Sequence, residues 1–148
     1  MIARIGVALA ALAIGSAAQT TQPNMQPIKE QKGLCQAAVP ADATVLGGFM
    51  AQGPKSAYTV NLEYEGGEKF EGPLTAAQLE QFHYSKAFEN TATRQWVETE
   101  AHALSPGSRA FHVYVPAKTG RCHLGISFKT TTPDDAPKRI AQTLRAVK

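Results

Sequence analysis

The chain has 148 residues, with 15 Lys plus Arg against 12 Asp plus Glu, a formal net charge of +3 and two cysteines. The basic residues are scattered, without a run and without interleaved aromatics, which excludes a nucleic-acid binder built on a basic face. The length and the 43% hydrophobic content suit one domain with one core, and no segment repeats.

Residues 1–18 carry one positive charge at Arg4, an apolar run over residues 5–14, and then Gly15-Ser16-Ala17-Ala18, small residues where a signal peptidase reads. This pattern predicts a secretory signal peptide cut after Ala18. The run is shorter than the ~20 residues that span a bilayer core, so no membrane span is expected after cleavage; left uncleaved, the leader would be an anchor. No cysteine follows the run directly, which excludes a lipoprotein. Losing Arg4 leaves 14 basic residues against 12 acidic ones, a net charge of +2 that selects no polyanionic partner. Residues 19–32, rich in Gln, Thr and Pro, show neither helical nor strand periodicity and read as a flexible tether. Residues 33–148 are then the single globular domain, in the periplasm or outside the cell.

Cys35 and Cys122 are an even pair in an exported chain and are expected to form a disulfide worth ~2–4 kcal/mol. A reactive Cys122 activated by His123 is a poor alternative, because neighbouring strand residues point to opposite faces.

Residues 44–50 and 57–65 read as the first strands. The second alternates Tyr58, Val60, Leu62 and Tyr64 against Thr59, Asn61 and Glu63. A turn at Gly66-Gly67 permits a short return strand over residues 69–71. Neither that glycine pair nor Gly47-Gly48 has the spacing of a phosphate-binding loop, so both read as turns or bulges. Thr75 and Gln78 form a capping box flanked by the staple Leu74 and Leu79, predicting a helix that runs through Phe82 and Ala87 to about Asn90. His83 falls at the edge of its apolar stripe, as a boundary histidine.

Residues 94–130 read as three antiparallel strands divided by Ser105-Pro106-Gly107-Ser108 and Ala117-Lys118-Thr119-Gly120. With Pro116 opposite Arg121, Val115 meets Cys122, Val113 meets Leu124 and Phe111 meets Ile126, all on one face. Aligning Val97, Thr99, Ala101 and Ala103 with that inner face puts Trp96, Glu98, Glu100 and His102 on the outer face with His112, Tyr114, His123 and Ser127. Thr132, Pro133 and the two aspartates after them start a last helix, with Ile140, Leu144 and Val147 on its apolar side.

These elements predict an α+β fold: a single antiparallel sheet of four to five strands with two helices packed on one face, in the order ββ(β)αβββα. Three functional readings follow. The favoured one is a small exported, non-catalytic accessory or binding domain whose outer face offers Trp96 and Tyr114 to a partner such as an envelope protein. The alternative is a metal-binding protein, with His102, His112 and His123 as cross-strand neighbours holding Zn or Cu and Glu100 close by. A hydrolase-like enzyme is the third, but there is no G-x-S-x-G, no H-E-x-x-H and no concave site for paired carboxylates. No catalytic residue and no other cofactor is assigned.

Overall fold

The computed structural model describes residues 24–148, so the expected signal peptide and the first part of the expected tether lie outside the described residues. Among the described residues, the expected single sheet is replaced by two sheets with ten strands in all, in a mostly-β fold. The smaller sheet has the order β1-β2-β10, from β1 (Met25–Lys29), β2 (Cys35–Pro40) and β10 (Arg145–Ala146). The larger has the order β3-β4-β5-β9-β8-β7-β6. Its strands are β3 (Thr44–Leu46), β4 (Met50–Gln52), β5 (Tyr58–Glu65), β6 (Tyr84–Asn90), β7 (Gln95–Thr99), β8 (Ser108–Pro116) and β9 (Arg121–Lys129). Two short α-helices, α1 (Ala76–Gln81) and α2 (Asp135–Ala141), complete the described residues. No helix among the described residues is long and apolar enough to cross a membrane.

The centre of the large sheet has the register that side-chain alternation predicts. Phe111 faces Ile126, Val113 faces Leu124 and Val115 faces Cys122, while Val60 and Leu62 of β5 face Ile126 and Leu124 from the other side. All of these are buried. Their shared face is covered by Ile140, Ala141 and Leu144 from α2 and its C-terminal turn, and by Ile28, Cys35, Ala37 and Val39 of the small sheet. The disulfide Cys35–Cys122 joins β2 of the small sheet to β9 of the large one, with Cα atoms 5.6 Å apart.

Residues 69–71 form no return strand, the last helix ends at Ala141 with Arg145–Ala146 pairing as β10, and four further elements differ from the sequence reading, each for a physical reason. Part of the expected tether is a strand: β1 pairs with β2 and buries Ile28. Because β1 is an edge, the missing N–H of Pro27 costs no ladder bond. Residues 44–50 are two strands rather than one, because Gly47 and Gly48 both take positive φ (62° and 84°) and reverse the chain.

The helix expected to reach Asn90 stops at Gln81. Its capping box forms as the sequence predicts, Gln78 N–H donating to Thr75 and Thr75 N–H to the Gln78 side chain, but none of its residues is buried. Residues 84–90 gain more as an edge strand, where β7 supplies ladder hydrogen bonds and Trp96 supplies a stacking partner for Phe88 at 4.4 Å. The two helices therefore do not share a face: α2 packs against β2, β8 and β9, while α1 stays outside the core.

The fourth difference is a one-residue shift in β7. Trp96 lies opposite Val113, on the inner face, and Val97 lies opposite His112, on the outer one. Trp96 is 5% exposed and packs edge-on to Phe111 at 5.6 Å. Burying the largest side chain of the stretch outweighs aligning four smaller ones, since about 25 cal/mol is gained per Å² of apolar surface removed from water. Glu98 turns inward with it, onto the rim of the core, where Arg109 meets it through two hydrogen bonds of 2.8 and 2.9 Å. β7 ends at Thr99, and Ala101–Ala103 form a 3-10 turn rather than the rest of a strand.

Candidate functional site

The outer face of the large sheet carries a half-buried polar network at the junction of β5, β9 and β8. Its members come from a single cross-strand row and the positions beside it: Glu63 of β5 lies opposite His123 of β9, and His123 lies opposite Tyr114 of β8. His112, two residues before Tyr114, reaches His123 by a ring-to-ring hydrogen bond, Nδ1 to Nε2, of 2.9 Å. Tyr114 stacks flat on His123, with centroids 4.4 Å apart and planes 13° apart. Arg121 covers the other side of Tyr114, its guanidinium 4.4 Å from the ring centre, and donates through Nε to Glu65 at 2.7 Å.

Burial dominates the protonation of this network. It lowers His112 from 6.5 to about 4, aided by the neighbouring His123 and opposed by Glu65. It lowers His123 as well, against the pull of Glu65 and Glu63. Burial, reinforced by Tyr84, raises the Tyr114 phenol, which therefore stays protonated as a hydrogen-bond donor. The two imidazoles are neutral at pH 7, and one donates to the other.

His123 Nδ1 is buried without a well-formed hydrogen bond; its nearest acceptors are Glu65 Oε2 at 3.4 Å and Glu63 Oε2 at 3.8 Å. These three donor atoms converge closely enough for an ion. The remaining oxygens are engaged by protein donors: Arg121 holds the other oxygen of Glu65, and Asn61 donates to the other oxygen of Glu63 at 2.7 Å.

A neutral buried imidazole pair makes stability depend on pH. Because the folded pKa of His112 lies below its unfolded value of 6.5, the unfolded state binds more protons between about 4 and 6.5. The contribution is complete above 6.5 and is lost as the pH falls through that window. Its size is about 3 kcal/mol, at 1.36 kcal/mol per pKa unit. Urea unfolding at a series of pH values should show wild type weakening toward pH 4 and His112→Gln weakening less; equal slopes would refute the assignment.

The histidine triad expected from the sequence does not assemble. His112 and His123 are adjacent, but His102 lies in the 3-10 turn beyond the end of β7, its Nε2 3.2 Å from Glu100. Of the expected binding surface, Tyr114 remains on the outer face, whereas Trp96 is in the core. Sequence reasoning missed Glu63, Glu65 and Arg121. Opposite charges at the facing ends of β5 and β9 are the signal that could have found the Glu65–Arg121 pair, once those strands are paired.

Beside this network is a cleft of about 300 Å³, lined by Tyr84, Gln95, Tyr114 and Arg121 from the sheet and by Glu68, Lys69, Glu71, Leu74 and Phe82 from the segment that follows β5. That segment straps the outer face. The Gln95 side chain donates to the Glu71 carbonyl at 2.7 Å, and Asn90 exchanges two 2.8 Å hydrogen bonds with the Leu74 backbone.

No protein-family model matches the chain, and no curated protein does. Among solved structures, the chain is similar to the Ran-binding protein Mog1p of Saccharomyces cerevisiae at 9% sequence identity and a TM-score of 0.47, over 86% of this chain and 97% of that one.

Proposed function

We propose that this chain is an exported, non-catalytic binding domain whose ligand site is the cleft beneath the strap, and that the site takes a small aromatic or amphipathic molecule bearing a carboxylate. The observation that carries the reading is the position of Arg121. Its Nε is spent on Glu65, no protein acceptor among the described residues takes its two terminal nitrogens, and it lines the cleft beside Tyr84 and Tyr114. An arginine fork presents paired donors suited to a carboxylate, and aromatic walls suit an apolar body. Glu65 holds that fork through Nε, and the neutral His112–His123 pair stands behind Glu65, with His123 Nδ1 3.4 Å from its other oxygen, so these groups position the site and carry out no chemistry. Export is supported by the leader pattern of residues 1–18 and by the disulfide, a bond that persists in oxidising compartments.

Titrating phenylacetate, and phenylacetamide as its uncharged counterpart, into the ¹⁵N-labelled chain tests this reading. Phenylacetate should cause saturable shifts at Tyr84, Gln95, Tyr114 and the Arg121 side chain, and both the amide and Arg121→Gln should weaken binding at least about tenfold, the loss of one charge-assisted contact. No saturable shift, shifts elsewhere on the molecule, or equal response to acid and amide would overturn it.

A further inference from the structure

We propose that His83, Glu100 and His102 form a binding site for a divalent first-row transition-metal ion, of the two-histidine, one-carboxylate kind. The site is independent of the cleft and of the His112–His123 network, and it shares no side chain with either. His83 follows the last turn of α1 in left-handed backbone, with φ of 60°, and its carbonyl accepts from the Glu100 N–H at 2.7 Å. That bond ties the start of β6 to the end of β7. Glu100 then caps the 3-10 turn that carries His102.

The result is that one carboxylate oxygen faces two imidazoles. Glu100 Oε2 is 3.5 Å from His83 Nδ1 and 3.2 Å from His102 Nε2, and all three donor atoms lie within 4.8 Å of one another. The imidazole rings stand edge-on to each other, with centroids 5.5 Å apart and planes at 89°. Around an ion with bonds of about 2.1 Å, neighbouring donors are about 3.0 Å apart in octahedral geometry and about 3.4 Å apart in tetrahedral geometry. The two observed spacings match these edges, so an ion can enter with small side-chain shifts. Two imidazoles and one carboxylate favour Zn²⁺, Cu²⁺, Ni²⁺ or Fe²⁺ over Mg²⁺ or Ca²⁺, which prefer oxygen alone. Both histidines are well exposed, at 60% and 69%, so an ion held here would keep coordination positions open to water or to a small anion.

The test uses the full-length oxidised chain, purified without a polyhistidine tag and stripped with a chelator, titrated with Zn²⁺ by calorimetry and with Co²⁺ by visible absorption. One equivalent should bind with a Kd of about 10 µM or tighter, and His83→Asn or His102→Asn should each weaken it at least about tenfold. Asparagine tolerates left-handed backbone, so His83→Asn keeps the local conformation, which an unchanged melting curve would verify. Absence of any site tighter than ~100 µM would overturn the proposal. So would binding that survives both variants, or binding that is lost in His123→Asn and retained in His83→Asn.

Discussion

Replacing both Cys35 and Cys122 by alanine will lower the melting temperature by about 15 °C. The bridge spans a sequence separation of 87 residues and joins strands in different sheets, with both cysteines fully buried. Closing a loop of that length removes unfolded-state entropy worth about 4–5 kcal/mol by the chain-entropy relation, above the ~2–4 kcal/mol typical of disulfides because the loop is long. At about 2.1 cal/mol/K per residue of unfolding entropy, that translates into the stated shift. The structural consequence is specific. Without the bridge, the small sheet is held over the large one by apolar packing and by the Lys29 N–H, which donates to the Gly48 carbonyl at 2.9 Å. Thermal scans of wild type with and without reductant, set beside the double variant, check the prediction; a shift below about 3 °C would show that packing alone holds the sheets together.

Phe111→Ala should cost about 3–5 kcal/mol, the usual range for removing a fully buried aromatic side chain. Phe111 has no exposed surface and is the centre of the aromatic cluster, with Phe128, Phe88 and Trp96 rings at 4.9, 5.2 and 5.6 Å. The cavity left behind opens against β6, β7 and β9 at once, so no single element can shift to fill it. Leu46→Ala is the matched control. Leu46 is 46% exposed on the outermost strand of the same sheet, and its loss should cost less than about 1 kcal/mol. Urea denaturation of the two variants separates them; similar midpoints would mean that Phe111 is not at the centre of the core.

The sequence by itself determined what depends on neighbours along the chain. The β8–β9 hairpin was legible residue by residue because only one register places Phe111, Val113, Leu124 and Ile126 on the same face, and a slip of one would expose them all. The Thr75–Gln78 capping box was legible because its donors and acceptors are three residues apart. The cysteine pairing followed from there being only two cysteines.

Tertiary structure decided what depends on residues far apart. Residues 84–90 carry helical spacing, yet β7 and the Trp96 ring make them a strand, because local propensity is worth tenths of a kcal/mol per residue and a paired, partly buried strand is worth more. The same contest moved β7 by one residue, taking Trp96 inside and breaking the expected triad of His102, His112 and His123. Arg121 meets Glu65 across 56 residues, and His83 meets Glu100 and His102 only because β6 returns beside β7. Charged and imidazole groups have no periodicity that reveals their partners; they are brought together by strand order, which the apolar core sets.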